Sequence, residues 1–208
     1  MSKTFLSVIV AVAAAALIAL LGAQFLMTRS DDPFASCRTS SVSGGGTLGG
    51  SFTLVDEDGK TVTDQDVIDR PSLLYFGYTF CPDVCPTDSA RNAEVADILQ
   101  ERGYDFRPVL VTIDPERDTP DVLKEFTDYL HPDMIGLTGT PEQIKAVAQL
   151  YRAYYKRQPS EDQDYYLVDH STFSYLVLPE HGFVEFVRRE EEPEAVANKL
   201  ACFIDKAN

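Results

Sequence analysis

From Phe5 to Met27 the chain reads FLSVIVAVAAAALIALLGAQFLM, an apolar run without a single charge. At helical rise it spans roughly 30 Å, about the hydrocarbon thickness of a bilayer, which predicts one transmembrane helix over 5–27. A cleaved signal has a shorter apolar run and a small-residue cleavage site, and Leu21-Gly22-Ala23 is a poor one. The expectation is therefore an uncleaved anchor over 1–27. Apolar periodicity then vanishes in TRSDDPFASCRTSSVSGGGTLGG, residues 28–50, whose Ser, Gly and Asp content reads as a flexible linker. A globular pattern occupies 51–208.

Within that pattern, FTLVDEDGKTVT holds two short strand-like runs around Asp58-Gly59, a hairpin signal. SLLYFGY is a continuous apolar run, as expected of a strand buried on both faces. PTDSARNAEVADILQERG follows as a helix, with Val95, Ile98 and Leu99 on one stripe and Gly103 at its C-terminal end. FRPVLVTID is the next buried strand. TPDVLKEFTDYL and TPEQIKAVAQLYRAYY predict two helices of one design, each capped by a threonine (Thr119, Thr140) with a proline in the first turn. Ile144, Val147 and Leu150 line a face of the second. DYYLVDH, TFSYLVLP and GFVEFVR give three more strands, the last two joined by the turn PEHG, and EPEAVANKLACFIDK closes the chain as a helix. Strand–helix alternation followed by an antiparallel pair predicts an α/β fold with a central mixed sheet flanked by helices.

A formal net charge of −15 over 208 residues argues against nucleic-acid binding, which needs a basic face. The same acidity keeps an extracytoplasmic domain soluble. A large domain behind one N-terminal anchor is usually exported whatever its charge, so all four cysteines (Cys37, Cys81, Cys85, Cys202) are expected in a disulfide-permissive compartment. Pairing Cys37 with Cys202 is one arrangement; free or intermolecular thiols are the others. The residues before Cys37 loosely echo a lipid-attachment box, but Asp31, Asp32 and Pro33 separate them from the apolar run, and lipidation is discounted.

The candidate chemistry lies in YFGYTFCPDVCPT, Tyr75 to Thr87. Cys81 and Cys85 each precede a proline, which pushes them away from the α region and onto an irregular loop. Pro86 suits the first position of the following helix, so Cys85 is expected near its N-cap, where the dipole should favour the Cys85 thiolate. The loop leaves the carboxyl end of a buried strand, the usual place for ligand sites in open α/β sheets. Asp114, at the equivalent end of the next strand, is expected near the cysteines, either capping the turn before Pro115 or orienting the site. A CxxxC pair by itself fits a structural disulfide, a redox dithiol or half of a metal site. Zinc is disfavoured because no second close pair completes four ligands. Of three histidines, His131 reads as a helix C-terminal cap or surface residue and His181 as an exposed hairpin tip. His170, between two strands, is either a turn residue or a ligand. Two thiolates and one imidazole would suit Cu(I) in a trigonal arrangement, and Cu(II) if water or a carboxylate adds a contact.

Four collinear blocks, YFGYTFCPDVCPTD, VTIDPERDTPDVLKEF, GLTGTPEQIKAVAQLYRAYY and VDHSTFSYLVL, resemble the Sco/SenC family of copper-binding, thioredoxin-like proteins over most of 51–208. That resemblance implies a thioredoxin-like fold with Cys81, Cys85 and His170 as ligands of copper, Cu(I), Cu(II) or both. It also implies a role in maturing the dinuclear copper centre of cytochrome c oxidase, as copper donor, as reductant of that centre's cysteines, or both. The implied partners are the copper-bearing oxidase subunit and other copper chaperones or thiol reductants. The implied location is the inner membrane, single-pass, with the domain in the periplasm or an equivalent space. The rival is a thiol–disulfide oxidoreductase, or a redox or copper sensor, that cycles Cys81 and Cys85 through a redox-active disulfide. Such a disulfide removes both thiolates and would abolish copper binding.

Overall fold

The computed structural model describes residues 12–22, 32–38, 48–162 and 165–207. The chain divides into two compact units, Met1–Ser36 and Cys37–Asn208. In the first, residues 12–22 are helical (α1), and the rest of the predicted 5–27 span lies outside the described residues. No helix among the described residues is long and apolar enough to cross a membrane. Of the expected linker 28–50, the described parts are 32–38 and 48–50.

The second unit opens with the expected hairpin, β1 (Thr53–Asp56) and β2 (Thr61–Thr63). Asp56 Oδ1 accepts the Asp58 and Lys60 amides at 3.0 and 2.8 Å, and Gly59 takes the positive φ of 77° that the turn requires. Then follow the short helix α2 (Asp64–Val67), β3 (Ser72–Gly77), α3 (Val84–Glu101), β4 (Arg107–Thr112), α4 (Pro120–Leu130), β5 (Ile135–Thr138) and α5 (Pro141–Leu150). The chain ends with β6 (Tyr155–Arg157), β7 (Val168–His170), β8 (Ser174–Leu178), β9 (Gly182–Val187) and α6 (Pro193–Ala207). Thr119 and Thr140 cap α4 and α5 through Val122 N and Gln143 N, each with proline in the first turn, as their sequences predict.

Seven strands form one mixed sheet in the order β2-β1-β5-β4-β3-β8-β9. β3 runs parallel to β4 and antiparallel to β8, and β4 runs parallel to β5. Every residue of β3 is buried, which accounts for its unbroken apolar run. Helix α3 packs on α6 and the central strands, and buries Val95 and Leu99. β6 and β7 form a separate two-stranded sheet.

The structure adds α2, β5 and β6 to the expected elements and shortens the second Thr-Pro helix. β5 was not expected: it is only four residues, IGLT, with no alternation, and it gains its order by pairing with β4 on one side and β1 on the other. Its Gly136 lets α4 come close, since a Cβ there would lie 2.8 Å from Leu123 Cβ. The second expected helix stops at Leu150 instead of running to Tyr155. Arg152 adopts φ 52°, Ala153 N donates to Ala148 O at 2.8 Å, and the chain leaves as β6.

Cys37 and Cys202 form a disulfide, so of the arrangements open for these two cysteines the structure holds the intramolecular pair. Beside it Arg38 Nη1 donates to Val184 O at 2.5 Å, and its guanidinium lies 5.8 Å from the Phe203 ring centre.

Candidate metal centre

The site forms where β3 gives way to α3. Helix α3 begins at Val84 with Asp83 at the N-cap, so Pro86 occupies its third position rather than the first that the sequence suggested. The third amide of a helix also lacks an intrahelical acceptor, so proline costs nothing there. Consequently Cys81 lies on the loop, whereas Cys85 lies inside the first helical turn and is fully buried. Thr79 ties this loop to the end of β4: its amide and hydroxyl donate to the buried Asp118 at 3.1 and 2.6 Å, and Thr112 Oγ1 donates to the same carboxylate at 2.6 Å.

Gly77, the last residue of β3, is what lets the second cysteine approach. A Cβ at this position would lie 2.7 Å from Tyr75 Cε1 and 3.2 Å from Cys85 Sγ. Any larger residue would push the thiol away. Tyr75 itself is buried beneath the site and donates its hydroxyl to the buried Asp88 at 3.1 Å.

The third group arrives from the separate hairpin. His170 ends β7 opposite Tyr155, and its Nε2 lies 3.2 Å from Cys85 Sγ. Its Nδ1 lies 2.9 Å from Ser171 O, an atom that can only accept. In the neutral ring Nδ1 therefore carries the proton, and the bare Nε2 faces the cysteines. Tyr75 and Tyr78 present edges to the ring at centroid distances of 6.1 and 5.9 Å, which limits its rotation.

Electrostatics divide the two thiols. Cys81 is held far below an ordinary thiol, to about 3, foremost by a hydrogen bond from Cys85; burial opposes, and the amides of Asp83 and Cys85 add to the lowering. The Cys85 amide lies 3.3 Å from Cys81 Sγ. Cys85 is pushed strongly upward because it donates to Cys81 and is buried. The expectation of a favoured thiolate at Cys85 is thus corrected. With the helix starting two residues early, the unpaired amides of its first turn point at Cys81 rather than at the cysteine within that turn.

Cys81 Sγ, Cys85 Sγ and a His170 ring nitrogen all lie within 4.8 Å of one another, the one such convergence among the described residues. Asp114 is not part of it. Its carboxylate accepts the Tyr166 hydroxyl at 2.6 Å and pairs with Arg117. His181 is exposed at the β8–β9 turn, as expected. His131 does end α4 but is buried rather than superficial, with Nδ1 accepting the Asp133 amide at 3.0 Å and Nε2 3.4 Å from Asp97. Sequence reasoning missed Gly77, Asp118 and Tyr166; the glycine inside an apolar strand was the signal for the first.

Two sulfurs and one imidazole nitrogen form a soft donor set for a metal of low coordination number. Fold and donors together define a class: a thioredoxin-like α/β domain with a CxxxC–histidine metal site. The SCO1/SenC family model matches residues 40–205, and the chain belongs to that family. It is 52% identical over 197 residues to Protein SenC of Rhodobacter capsulatus, covering 93% of this chain and 88% of the relative. Among solved structures, copper-bound ScoI of Arabidopsis thaliana superposes with a TM-score of 0.71 at 41% identity, over 77% of this chain and 98% of that one. Copper-bound ScoI of Bradyrhizobium japonicum gives 0.68 at 37% identity, over 74% and 98%.

Proposed function

We propose that this protein is a membrane-anchored copper carrier that supplies the dinuclear copper centre of cytochrome c oxidase during assembly. The observation that carries the reading is the convergence of Cys81, Cys85 and His170, in a chain whose relatives include copper-bound Sco structures. Copper is cargo here, held by Cys81 Sγ, Cys85 Sγ and His170 Nε2. Of the two sulfurs, Cys81 is held as the thiolate while Cys85 keeps its proton, so loading requires that Cys85 give that proton up. Three ligands leave room for an incoming donor, and copper can pass to the oxidase subunit by stepwise ligand exchange without ever being free. The apolar run 5–27 would keep the domain at the inner membrane, on its periplasmic side, where the recipient centre lies.

The low-pKa Cys81 favours a second reading, reduction of the recipient's disulfide. The Cys81 thiolate would attack that disulfide, and Cys85 would then lose its proton and displace the second thiol, leaving a Cys81–Cys85 disulfide and a reduced partner. His170 separates the two. When the chromosomal copy is replaced by Cys81→Ser, Cys85→Ser or His170→Ala, copper delivery predicts that the copper content and activity of the membrane oxidase fall in all three strains. Loss in the cysteine strains with full oxidase in His170→Ala would reject delivery and leave reduction.

A further inference from the structure

His170 stands on an element that the main sheet does not hold. Among the described residues β6 and β7 pair only with each other, over Tyr155 to Arg157 and Val168 to His170, so something else must register the hairpin against the cysteine loop. The structure supplies one compact junction, centred on Tyr166, four residues before His170. The Arg117 guanidinium lies 3.6 Å from the centre of the Tyr166 ring, and the Arg157 guanidinium also lies 3.6 Å from it. The Tyr166 hydroxyl donates to Asp114 Oδ1 at 2.6 Å, and the same carboxylate pairs with Arg117. Arg117 also lies 4.8 Å from the Phe80 ring centre, beside Cys81 in the chain. Two residues on from Tyr166, the Val168 amide donates to Tyr78 Oη at 3.1 Å. One ring thus joins the end of β4, the cysteine loop and the hairpin strand that carries the imidazole.

We infer that Tyr166 is the positioning residue for the third metal ligand: clamped between Arg117 and Arg157 and tied to Asp114, it sets where His170 Nε2 stands relative to the two cysteines. Both parts of the side chain contribute. The ring sits between two planar cations, an arrangement that a smaller aliphatic side chain cannot reproduce. The hydroxyl meets a buried carboxylate whose other oxygen is already engaged, which fixes the ring's orientation. A shift of the hairpin by even one ångström would take the imidazole out of bonding reach of a metal held by the cysteines.

The inference rests on the copper reading for its metal readout, and the test has a second readout in the metal-free protein. In reduced apo protein, NMR contacts between the His170 ring and the Tyr75 and Tyr78 rings report its position. Tyr166→Leu is expected to weaken or abolish those contacts and to lower Cu(I) affinity by about 10-fold or more, towards that of His170→Ala, with copper still bound by the two thiolates. Tyr166→Phe keeps the ring and is expected to recover most of both. If Tyr166→Leu fails to fold, Tyr166→Phe and Arg157→Met decide: each should show a partial loss in both readouts. Wild-type contacts and wild-type affinity in Tyr166→Leu, or in both of the milder variants, would overturn the inference. If the wild-type protein binds no copper, the copper reading fails, and the apo contacts still decide the role of Tyr166.

Discussion

Cys81 and Cys85 are four positions apart at the mouth of one helix, yet only Cys81 receives the helix's unpaired amides. With the Cys85 thiol donating to it foremost and those amides adding to the effect, Cys81 holds a negative charge while Cys85 keeps its proton. Two consequences can be measured. At neutral pH, the two cysteines should release about one proton between them on binding copper rather than two, since Cys81 is held as the thiolate and Cys85 keeps its proton. Calorimetric titration in buffers of different ionisation enthalpy counts that proton; a value near two would show both cysteines protonated at rest. The second consequence concerns stability. A folded-state pKa lowered from 9.0 to about 3 contributes stability that is fully present above the unfolded value and is lost as pH falls towards the folded one. Cys85, raised, has the opposite sign, and its contribution is lost above the ordinary thiol range. The stability advantage of wild-type apo protein over Cys81→Ser should therefore shrink on acidification. These assignments were only partly legible in the sequence. The ligand types and the proximity of a helix N-terminus were visible in CPDVCP, but the first helical residue was not. With Cys85 inside the first turn, its thiol and its amide both face Cys81 Sγ, and the charge rests there.

At the scale of elements, most of the scaffold could be read from local chemistry. Thr119-Pro120 and Thr140-Pro141 announce α4 and α5 because a capping hydroxyl and a fixed proline φ act within one turn. SLLYFG announces β3 because burial on both faces leaves no polar position. What stayed hidden depended on distant partners. β5 is four residues stabilised by strands far away in sequence, and β6 follows a helix whose end rests on the left-handed Arg152 rather than on a glycine. The strand that carries His170 was legible in DYYLVDH, but its partner β6, and so the hairpin, was hidden for the same reason. Its strands are three residues each, and their placement depends on Arg117, Arg157 and Asp114 meeting around Tyr166. Asp114 was expected near the cysteines, capping a turn or orienting the site; in the fold its carboxylate meets Tyr166 and Arg117.

In the whole molecule, the cysteines fall into two sets with separate tasks. Cys81 and Cys85 are free, while Cys37 and Cys202 are joined across a sequence separation of 165. Closing a loop of that size stabilises a fold by roughly 2–5 kcal/mol, chiefly by restricting the unfolded chain. It also removes two thiols that could compete for copper. The double variant Cys37→Ser/Cys202→Ser should unfold at lower urea concentration, with a loss in that range, and retain wild-type copper stoichiometry. Reduced stoichiometry would place the disulfide in the metal site's support. The central claim, however, concerns the three ligands, and X-ray absorption at the copper edge tests it most directly on reduced protein loaded with one equivalent of Cu(I). The account predicts two sulfur scatterers and one imidazole nitrogen, with the nitrogen lost in His170→Ala and all binding lost once Cys81 and Cys85 are oxidised to a disulfide. A copper shell unchanged by His170→Ala, or copper retained by the oxidised protein, would contradict it.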